Sequence, residues 1–331
     1  MVPSIALPLA LCRAADLIRV RTNLRAQTIT TKRTRVALHL LLAALLVTAA
    51  VPLERCFAAP PAKVLSFLVL GDWGRGGADL QREVAGQMAK AAAAYGAQFV
   101  ISTGDNFYEA GVSSVNSPQW QKSFENIYTQ PELQVPWYPT VGNHDHRGNV
   151  QAQVDYSSKS KRWRMPALYY NLTQPLPGGG LAEFFFLDTQ LLLNGSGKQA
   201  NAQWRWLEDG LARSKADWRV VVGHHPVYSG GSEHGDTPEL VHRLKPLLDR
   251  YHVQLYLNGH DHDLQHIVVD GVNYVTSGAG SATRTTKSGP HTRFSLGSTS
   301  GFVWMGITRD SLTARFIDWR GRERYAFAQA R

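Results

Sequence analysis

The segment Gly104-Asp105-Asn106-Phe107-Tyr108 puts a carboxylate and a phenol three residues apart, directly downstream of the apolar run Phe99-Val100-Ile101. That run has the composition of a buried strand, since aromatic and β-branched side chains favour a pleated sheet. Gly104 lets the chain turn sharply after the strand. Asp105 is therefore predicted just beyond a strand's carboxyl end, where open α/β sheets bind their ligands.

The same order, an apolar run followed by glycine and a side chain able to bind metal, occurs at four other places. These are Gly71-Asp72, Gly142-Asn143-His144-Asp145-His146, Gly223-His224-His225-Pro226 and Gly259-His260-Asp261-His262. A single Gly-Asp pair is ordinary turn chemistry. Five repetitions instead predict one shared rim of strand ends, with Asp105 at the corner of a two-metal site.

The charge of the chain is concentrated near its N-terminus. The whole chain of 331 residues has a formal net charge of +9. Residues 1–58 hold eight basic and two acidic side chains, a net of +6, which leaves 9 − 6 = +3 for the remainder. The basic pI therefore does not indicate nucleic-acid binding, although the small positive balance suits an anionic substrate.

Residues 1–58 are predicted to be a leader, with residues 59–331 as a single domain. Residues 32–35 form a positive n-region, 36–51 form an apolar run of 16 residues, and Ala58 suits cleavage. This pattern predicts a secretory signal peptide and a secreted or periplasmic protein. A membrane anchor is the alternative, but a span needs about 20 apolar residues. Whether residues 1–31 are translated is left open.

Both cysteines, Cys12 and Cys56, lie in that leader. A mature chain that begins after Ala58 therefore has no thiol. Disulfides and cysteine-metal chemistry are excluded from the predicted site.

The first half of the domain alternates between strands and helices. Strands are predicted at 64–70, 99–101 and 136–141, and a helix at 79–95 with Asp79 as its cap. Helical spacing recurs at Trp120, Phe124 and Ile127. The alternation favours parallel strand pairing through crossover connections.

The second half begins with two aromatic runs, 167–172 and 182–187, which predict antiparallel strands. Helices are predicted around Trp204 and Leu244, ahead of strands that begin at Trp218 and Val253. The chain after Asp263 is predicted to be strand and turn, at 265–269, 272–276, 302–307 and 312–319. The expected fold is an α/β sandwich of two mixed β-sheets flanked by helices, with the loops gathered at one rim.

The side chains of the predicted rim are hard oxygen and imidazole donors without sulfur. Such donors suit iron, manganese or zinc. They are too numerous for one ion, and a carboxylate between two sets can bridge a pair of metals about 3.5–4 Å apart. The donor set is Asp72, Asp105, Tyr108, Asn143, His144, His224, His260 and His262.

The blocks GDWG, GDNFY, GNHDH, GHHP and GHDH resemble those of the calcineurin-like metallophosphoesterases, and within them the small, single-domain purple acid phosphatases of the tartrate-resistant type. The resemblance covers about residues 64–320. It implies a metallophosphoesterase sandwich with its metal site at the carboxyl ends of the strands. It also implies that Fe(III) binds at Asp72, Asp105, Tyr108 and His262. A second, divalent ion (Fe, Zn or Mn) is implied at Asp105, Asn143, His224 and His260.

One position separates this branch from most metallophosphoesterases. They have a histidine two residues after the first aspartate, whereas this chain has Gly74. The resemblance implies that Tyr108 replaces that histidine. A phenolate favours ferric iron and predicts a visible charge-transfer band. Taken alone, Tyr108 is also compatible with a buried structural tyrosine.

His144 and His234 match two further family positions, close to the phosphate rather than on the metals. A protonated imidazole there neutralises charge and donates to the leaving oxygen. The loop Gly230-Gly231-Ser232 before His234 is one residue longer than the family spacing. His146, His225 and His266 are expected in supporting or surface positions.

The predicted function is hydrolysis of phosphate monoesters, by in-line attack of a metal-bound hydroxide. The substrate is a small phosphate ester, and neither a nucleic acid nor a membrane anchor is expected. A phosphodiesterase or nucleotidase with the same ligands is one alternative, and a non-catalytic metal- or phosphate-binding protein is another. The physiological substrate, the second metal, the oligomeric state and a regulatory loop at 277–300 are left open.

Overall fold

The computed structural model describes residues 64–194 and 197–331. The predicted leader and signal peptide at 1–58 lie outside the described residues, so they stay predictions. Within the two described ranges, no helix is long and apolar enough to cross a membrane.

The described residues form thirteen strands and five α-helices. The strands are β1 (Leu65–Leu70), β2 (Phe99–Ser102), β3 (Trp137–Pro139), β4 (Tyr170–Pro175), β5 (Leu181–Phe186), β6 (Trp218–Val222), β7 (Leu255–Asn258), β8 (Leu264–Val269), β9 (Val272–Ser277), β10 (Thr292–Leu296), β11 (Gly301–Ile307), β12 (Ser311–Asp318) and β13 (Glu323–Ala330). The α-helices are α1 (Gln81–Tyr95), α2 (Val150–Asp155), α3 (Thr189–Asn194), α4 (Lys198–Arg213) and α5 (Pro238–Arg250). Short helical turns of other types occur at Trp120–Glu125 (π) and at Pro131–Leu133, Asp145–Arg147 and Tyr156–Ser158 (3₁₀).

The strands make two mixed sheets. One sheet has six strands in the order β13-β12-β11-β1-β2-β3, and the other has seven in the order β10-β8-β9-β7-β6-β5-β4. In the first, β1, β2 and β3 are parallel, while β1 pairs antiparallel with β11. In the second, β5, β6, β7 and β9 are parallel, while β4 pairs antiparallel with β5. The predicted two-sheet α/β sandwich is confirmed.

The interior between the sheets is apolar and rich in aromatic rings. Phe67 of β1 stacks on Phe99 of β2 at 4.9 Å between ring centroids, and Phe184 of β5 meets Phe67 edge-on at 5.5 Å. Because side chains alternate across a strand, Phe185 points to the opposite face. There it packs with the apolar stripes of α4 and α5, including Leu207 and Leu244.

A dense aromatic cluster lies beneath one part of the rim. Its members are buried and meet mostly edge to face, an arrangement that aromatic quadrupoles favour. They are Trp73, Phe107, Trp120, Phe124, Tyr128, Trp137 and Trp163. Trp73 directly follows Asp72, and Phe107 directly precedes Tyr108, so each of these two candidate ligands has a neighbour anchored in the core.

Some local predictions were wrong. Asp79 does not cap α1, because Asp79 and Leu80 both have a left-handed backbone (φ +52° and +66°) and no side chain caps the helix. Asp79 is half exposed and its carboxylate lies 3.9 Å from the Arg75 guanidinium. The strands β10 and β13 were not predicted. Both are edge strands with many exposed positions, so they lack a continuous apolar signal.

Candidate metal centre

The ends of five strands bring the predicted donors together at one rim. Asp72 follows β1, Asp105 follows β2, and Asn143 follows β3 from the first sheet. His224 follows β6, and the loop of His260 and His262 follows β7 from the second sheet. The site therefore spans both sheets and joins segments up to 190 residues apart in the chain, Asp72 to His262.

Three donors form the oxygen-rich group, defined as Asp72, Tyr108 and His262. The Tyr108 hydroxyl lies 3.0 Å from each of Asp72 Oδ1, Asp105 Oδ2 and His262 Nε2. His262 Nε2 is also 3.5 Å from Asp72 Oδ1. One phenol proton cannot satisfy three such neighbours, whereas a cation between them would be bound by all four groups.

Three other donors form the nitrogen-rich group, defined as Asn143, His224 and His260. The Asn143 amide oxygen lies 3.0 Å from His224 Nε2 and 3.1 Å from His260 Nδ1. The two ring nitrogens are 3.2 Å apart. Asp105 Oδ2 lies 3.5 Å from His224 Nε2, so the same carboxylate oxygen contacts both groups.

The backbone at these donors is unusual. Asp72, Asp105 and His260 have φ values of +59°, +48° and +71°. Non-glycine residues adopt this left-handed region rarely, and such residues are concentrated at functional sites. The turn aims each side chain back across the strand end. Gly142 is needed because a Cβ there would lie 2.2 Å from Asp105 Oδ1.

Backbone amides orient the two carboxylates. The His144 N–H donates to Asp105 Oδ1 at 2.8 Å, and the His260 N–H donates to Asp72 Oδ2 at 3.0 Å. The carbonyl of Thr103 lies 2.9 Å from His224 Nδ1 and must accept its proton. That bond points His224 Nε2 toward the site, the orientation that a metal-binding histidine requires.

Asp145, a buried carboxylate for which the sequence predicted no role, ties two of the blocks together. It accepts hydrogen bonds from the backbone N–H groups of Asn106, Phe107 and Gly142, and from the Gln153 side chain. Burial raises the pKa of Asp145 to about 6. This network fixes the loop of Asp105 against the loop of Asn143.

The pKa values of the two carboxylates of the centre are shifted in opposite directions. Burial alone would raise the pKa of Asp105, but the His224 charge and hydrogen bonds from His224 and His144 hold it well below its usual range. Burial raises the pKa of Asp72 well above its usual range, and repulsion from Asp105 adds to this. Burial opposes protonation of His224, yet the nearby carboxylates raise its pKa to about 9.

The donor set fits bound cations. Burial, together with neighbouring positive groups, lowers the pKa of His260 far below its usual range and that of His262 to about 3. Both imidazoles are therefore neutral and offer lone pairs. Burial also raises the pKa of the Tyr108 phenol, because it disfavours the phenolate anion. An adjacent cation would stabilise that anion. Ligand atoms of Asp72, Asp105 and His224 lie within 4.8 Å of one another.

The two predicted phosphate-side histidines flank this centre. His144 Nε2 lies 4.0 Å from Asp105 Oδ2, and its ring centroid is 4.5 Å from that of Tyr108. His234 stacks on the His260 ring at 4.0 Å. His144 thus borders the oxygen-rich group, and His234 borders the nitrogen-rich group.

Each of these two histidines has an arginine partner that sequence patterns did not reveal. Arg147 Nη1 is 3.3 Å from His144 Nδ1, and Arg284 Nη1 is 3.3 Å from His234 Nε2. Arg284 also forms an ion pair with Glu233. Three arginines, including Arg75 beside Tyr108, therefore surround the centre. Arg75 and Arg147 directly follow two of the five blocks, and Arg284 lies outside all of them. The only sequence signal for the first two was a basic residue next to a block.

The three histidines expected in supporting or surface positions have structural partners. His225 is buried, and its Nδ1 is 2.8 Å from the Thr189 hydroxyl. His146 Nε2 lies 2.9 Å from both oxygens of buried Asp188. His266 is not on the surface: it stacks on Phe327 at 3.8 Å and contacts the Asn273 side chain at 2.9 Å, away from the metal donors.

Comparisons with known proteins agree with this geometry. The family model for "Calcineurin-like phosphoesterase" matches residues 65–264. Tartrate-resistant acid phosphatase type 5 of Oryctolagus cuniculus is 39% identical over 288 residues, which cover 78% of this chain and 88% of the relative. Purple acid phosphatase 4 of Arabidopsis thaliana is 38% identical over 279 residues, with 78% and 81% covered.

Two solved structures share the architecture. GAP50, described as the anchor in the inner membrane complex of Plasmodium, has a TM-score of 0.75 and 27% identity, covering 81% of this chain and 89% of GAP50. Purple acid phosphatase PPD1 from yellow lupin seeds has a TM-score of 0.63 and 16% identity, covering 82% of this chain and 54% of the lupin enzyme. The lupin structure supports the fold alone. The chain belongs to the calcineurin-like phosphoesterases and, within them, to the tartrate-resistant and purple acid phosphatases.

Proposed function

We propose that this protein hydrolyses phosphate monoesters at a dinuclear metal centre whose two ions share Asp105. One observation carries the proposal: Asp105 Oδ2 contacts both the Tyr108 hydroxyl, at 3.0 Å, and His224 Nε2, at 3.5 Å. A carboxylate oxygen between two complete donor groups is the arrangement that a bridging ligand requires.

The oxygen-rich group, with Asp105, would hold Fe(III). A phenolate and two carboxylates are hard anionic donors, which suit a hard trivalent ion. The nitrogen-rich group, with Asp105, would hold a divalent ion, Fe, Zn or Mn, since it offers an amide and two imidazoles that are neutral donors once the ion has displaced the His224 proton. When bound, such a metal pair lowers the pKa of water to supply a nucleophile and stabilises phosphoryl oxygens.

The chain's own residues would orient the ester and manage its proton. The Glu109 carbonyl lies 2.7 Å from His144 Nδ1 and can only accept, so Nδ1 carries a proton. Arg147 Nη1, 3.3 Å from the same nitrogen, then faces an N–H rather than a lone pair and makes no hydrogen bond to it. His144 Nε2 is left facing the centre, where a protonated imidazole can donate to the leaving alcohol oxygen.

His234 differs from His144 in which ring nitrogen is free to donate a proton. A guanidinium can only donate, so the contact with Arg284 requires a lone pair on His234 Nε2. His234 would bind the phosphate through Nε2 only after Arg284 moves onto Glu233 alone. His144 is therefore proposed as the main proton donor, with His234 assisting by binding the phosphoryl group.

We also propose that the protein is exported. The support is the sequence of residues 32–58, and the mature chain would begin near Ala59. N-terminal sequencing of protein from a secreting host tests this, and a cytosolic chain that keeps Met1 would contradict it.

An assay of purified protein tests the main proposal. We expect turnover of an aryl phosphate monoester to exceed that of the matching diester at acid pH, with two metals per chain by mass spectrometry. Faster diester turnover would favour a phosphodiesterase. The likeness to GAP50, an anchor by its description, makes a non-catalytic role the second candidate. A metal-loaded protein without turnover of either ester would favour that role.

A further inference from the structure

Arg75 lies directly against the ring of the candidate ligand Tyr108. Its guanidinium carbon is 3.9 Å from the ring centroid, well within the distance at which a cation and an aromatic face attract each other. The Arg75 side chain is only 19% exposed. A charge in this position is poorly screened by water, so it acts strongly on the ring.

The local backbone explains why this contact forms. The Tyr108 N–H donates to the Gly74 carbonyl at 3.0 Å. A Cβ on Gly74 would lie 1.9 Å from the Asn106 carbonyl oxygen, so no side chain fits there. The approach of the Tyr108 segment thus leaves no room for a side chain at position 74. Arg75 is the next residue, and it covers the phenol ring.

Arg75 has few competing partners. Its Nη1 donates to Glu109 Oε1 at 2.9 Å, and that carboxylate is 70% exposed. Its Nε is buried and makes no hydrogen bond to the residues that the structure describes. The nearest other anion, Asp79, is 3.9 Å away. The guanidinium charge is therefore only partly neutralised by a solvent-exposed carboxylate, and it remains available to the ring.

We infer that Arg75 tunes the electron donation of Tyr108 to the ion in the oxygen-rich group. The inference rests on the proposed function, in which Tyr108 binds Fe(III) as a phenolate. A cation on the ring lowers the energy of the filled phenolate orbital more than it affects the more distant ion. It therefore raises the energy of the phenolate-to-iron transition and stabilises the reduced ion. Arg75 is a positioning residue that acts through Tyr108, and it is not a proposed ligand of either ion.

The test uses the whole iron-loaded enzyme and two substitutions of opposite sign. Arg75→Met keeps the bulk of the side chain and removes the cation, so the visible band moves to longer wavelength and the reduction potential falls. Glu109→Gln removes the partner anion, so the band moves to shorter wavelength and the potential rises. Both variants retain two metals per chain, because neither residue is a proposed ligand.

Arg243→Met is the matched control. Arg243 lies over the Trp204 ring at 4.6 Å on the helical face of the second sheet, and its loss leaves the band unmoved. In Arg75→Lys the visible band lies between those of the wild type and Arg75→Met, since lysine keeps the charge but lacks the flat stacking surface.

Three results would overturn the inference. In the first, the Arg75→Met band stays in place with iron bound. In the second, Arg75→Met and Glu109→Gln shift the band in the same direction, which indicates packing rather than charge. If Arg75→Met does not fold, an unmoved band in Glu109→Gln decides against the inference. A colourless wild type with two bound metals would instead contradict the ferric-phenolate assignment itself, together with everything built on it.

Discussion

The oxygen-rich and nitrogen-rich groups meet at Asp105, yet the protein supports them in different ways. Asp72 and Tyr108 adjoin Trp73 and Phe107, which are fully buried in the aromatic cluster. His224 and His260 are instead surrounded by polar rings. The His225 and His234 rings lie 4.4 and 4.0 Å from that of His260.

This difference indicates distinct tasks for the two groups. Apolar packing of Trp73 and Phe107 holds the neighbouring donors Asp72 and Tyr108 in place. The nitrogen-rich group lies among imidazoles that make hydrogen-bond contacts of their own. We expect substitutions in the first group to alter metal identity and colour, and substitutions in the second to alter metal content and turnover.

Asp105→Asn should have the largest effect, because it removes the charge that both groups share. An amide tolerates the left-handed backbone of this position. We expect both metals to be depleted and turnover to fall by about 1,000-fold, or ~4 kcal/mol of transition-state stabilisation. Metal analysis and a phosphatase assay measure this. Asp270→Asn is the control, since Asp270 also has positive φ (+49°) but lies in an exposed turn. Two metals retained in Asp105→Asn would contradict the shared position.

Asn143→Ala should separate the two groups. The amide oxygen contacts both histidines of the nitrogen-rich group and neither Asp72 nor Tyr108. We expect loss of the divalent ion, retention of the coloured ion and a fall in turnover of about 100-fold. The exposed Asn171, which bonds Glu183, provides the Asn→Ala control. Equal loss of both ions would mean that the groups do not bind independently.

Tyr108→Phe tests the other group and should affect turnover less. The phenolate is proposed to bind iron but neither bridges nor attacks phosphorus, so we expect the visible band to vanish while kcat falls about tenfold. Tyr170→Phe removes a buried hydroxyl that donates to the Pro139 carbonyl, at a cost of about 1 kcal/mol in stability. That control should keep its colour. A band that survives Tyr108→Phe would refute the assignment of this tyrosine.

The smallest effect concerns His146, which lies near the nitrogen-rich group without contributing to it. Burial disfavours its charge, but hydrogen bonding and attraction from Asp188 outweigh this and raise the pKa of His146 above its usual value. A raised folded-state pKa stabilises the protein below the unfolded pKa of about 6.5 and loses that contribution as pH rises through the folded value.

His146→Gln should therefore cost about 0.5–1 kcal/mol of unfolding free energy at pH 5 and less at pH 8. Urea denaturation at the two pH values measures the difference. The exposed His242 on α5 gives a His→Gln control with no expected change. An equal loss of unfolding free energy at both pH values would show that His146 acts by packing alone.

Much of this protein could be predicted from sequence, because its informative features are local. An apolar run that ends in glycine and a donor is visible in four or five residues, and buried parallel strands give such runs a uniform composition. The five blocks therefore predicted the rim and its donors. The structure brings all seven predicted metal donors together there, while their individual roles stay predictions. The edge strands β10 and β13 carry no such signal.

Contacts between groups distant in the chain could not be predicted from the sequence and are seen only in the tertiary structure. The separation into an oxygen-rich and a nitrogen-rich group depends on which strand ends adjoin, and the role of Asp145 depends on the amides that converge on it. No sequence pattern distinguishes the arginines beside Tyr108, His144 and His234 from other arginines of the chain. Arg75 matters because burial, a property of the folded chain, weakens the screening of its charge. Arg147 and Arg284 are more exposed and matter through their 3.3 Å contacts with His144 and His234. The sequence by itself determined the donor residues and the strands that precede them, because both are local patterns, while the folded structure decided which charges act on those donors.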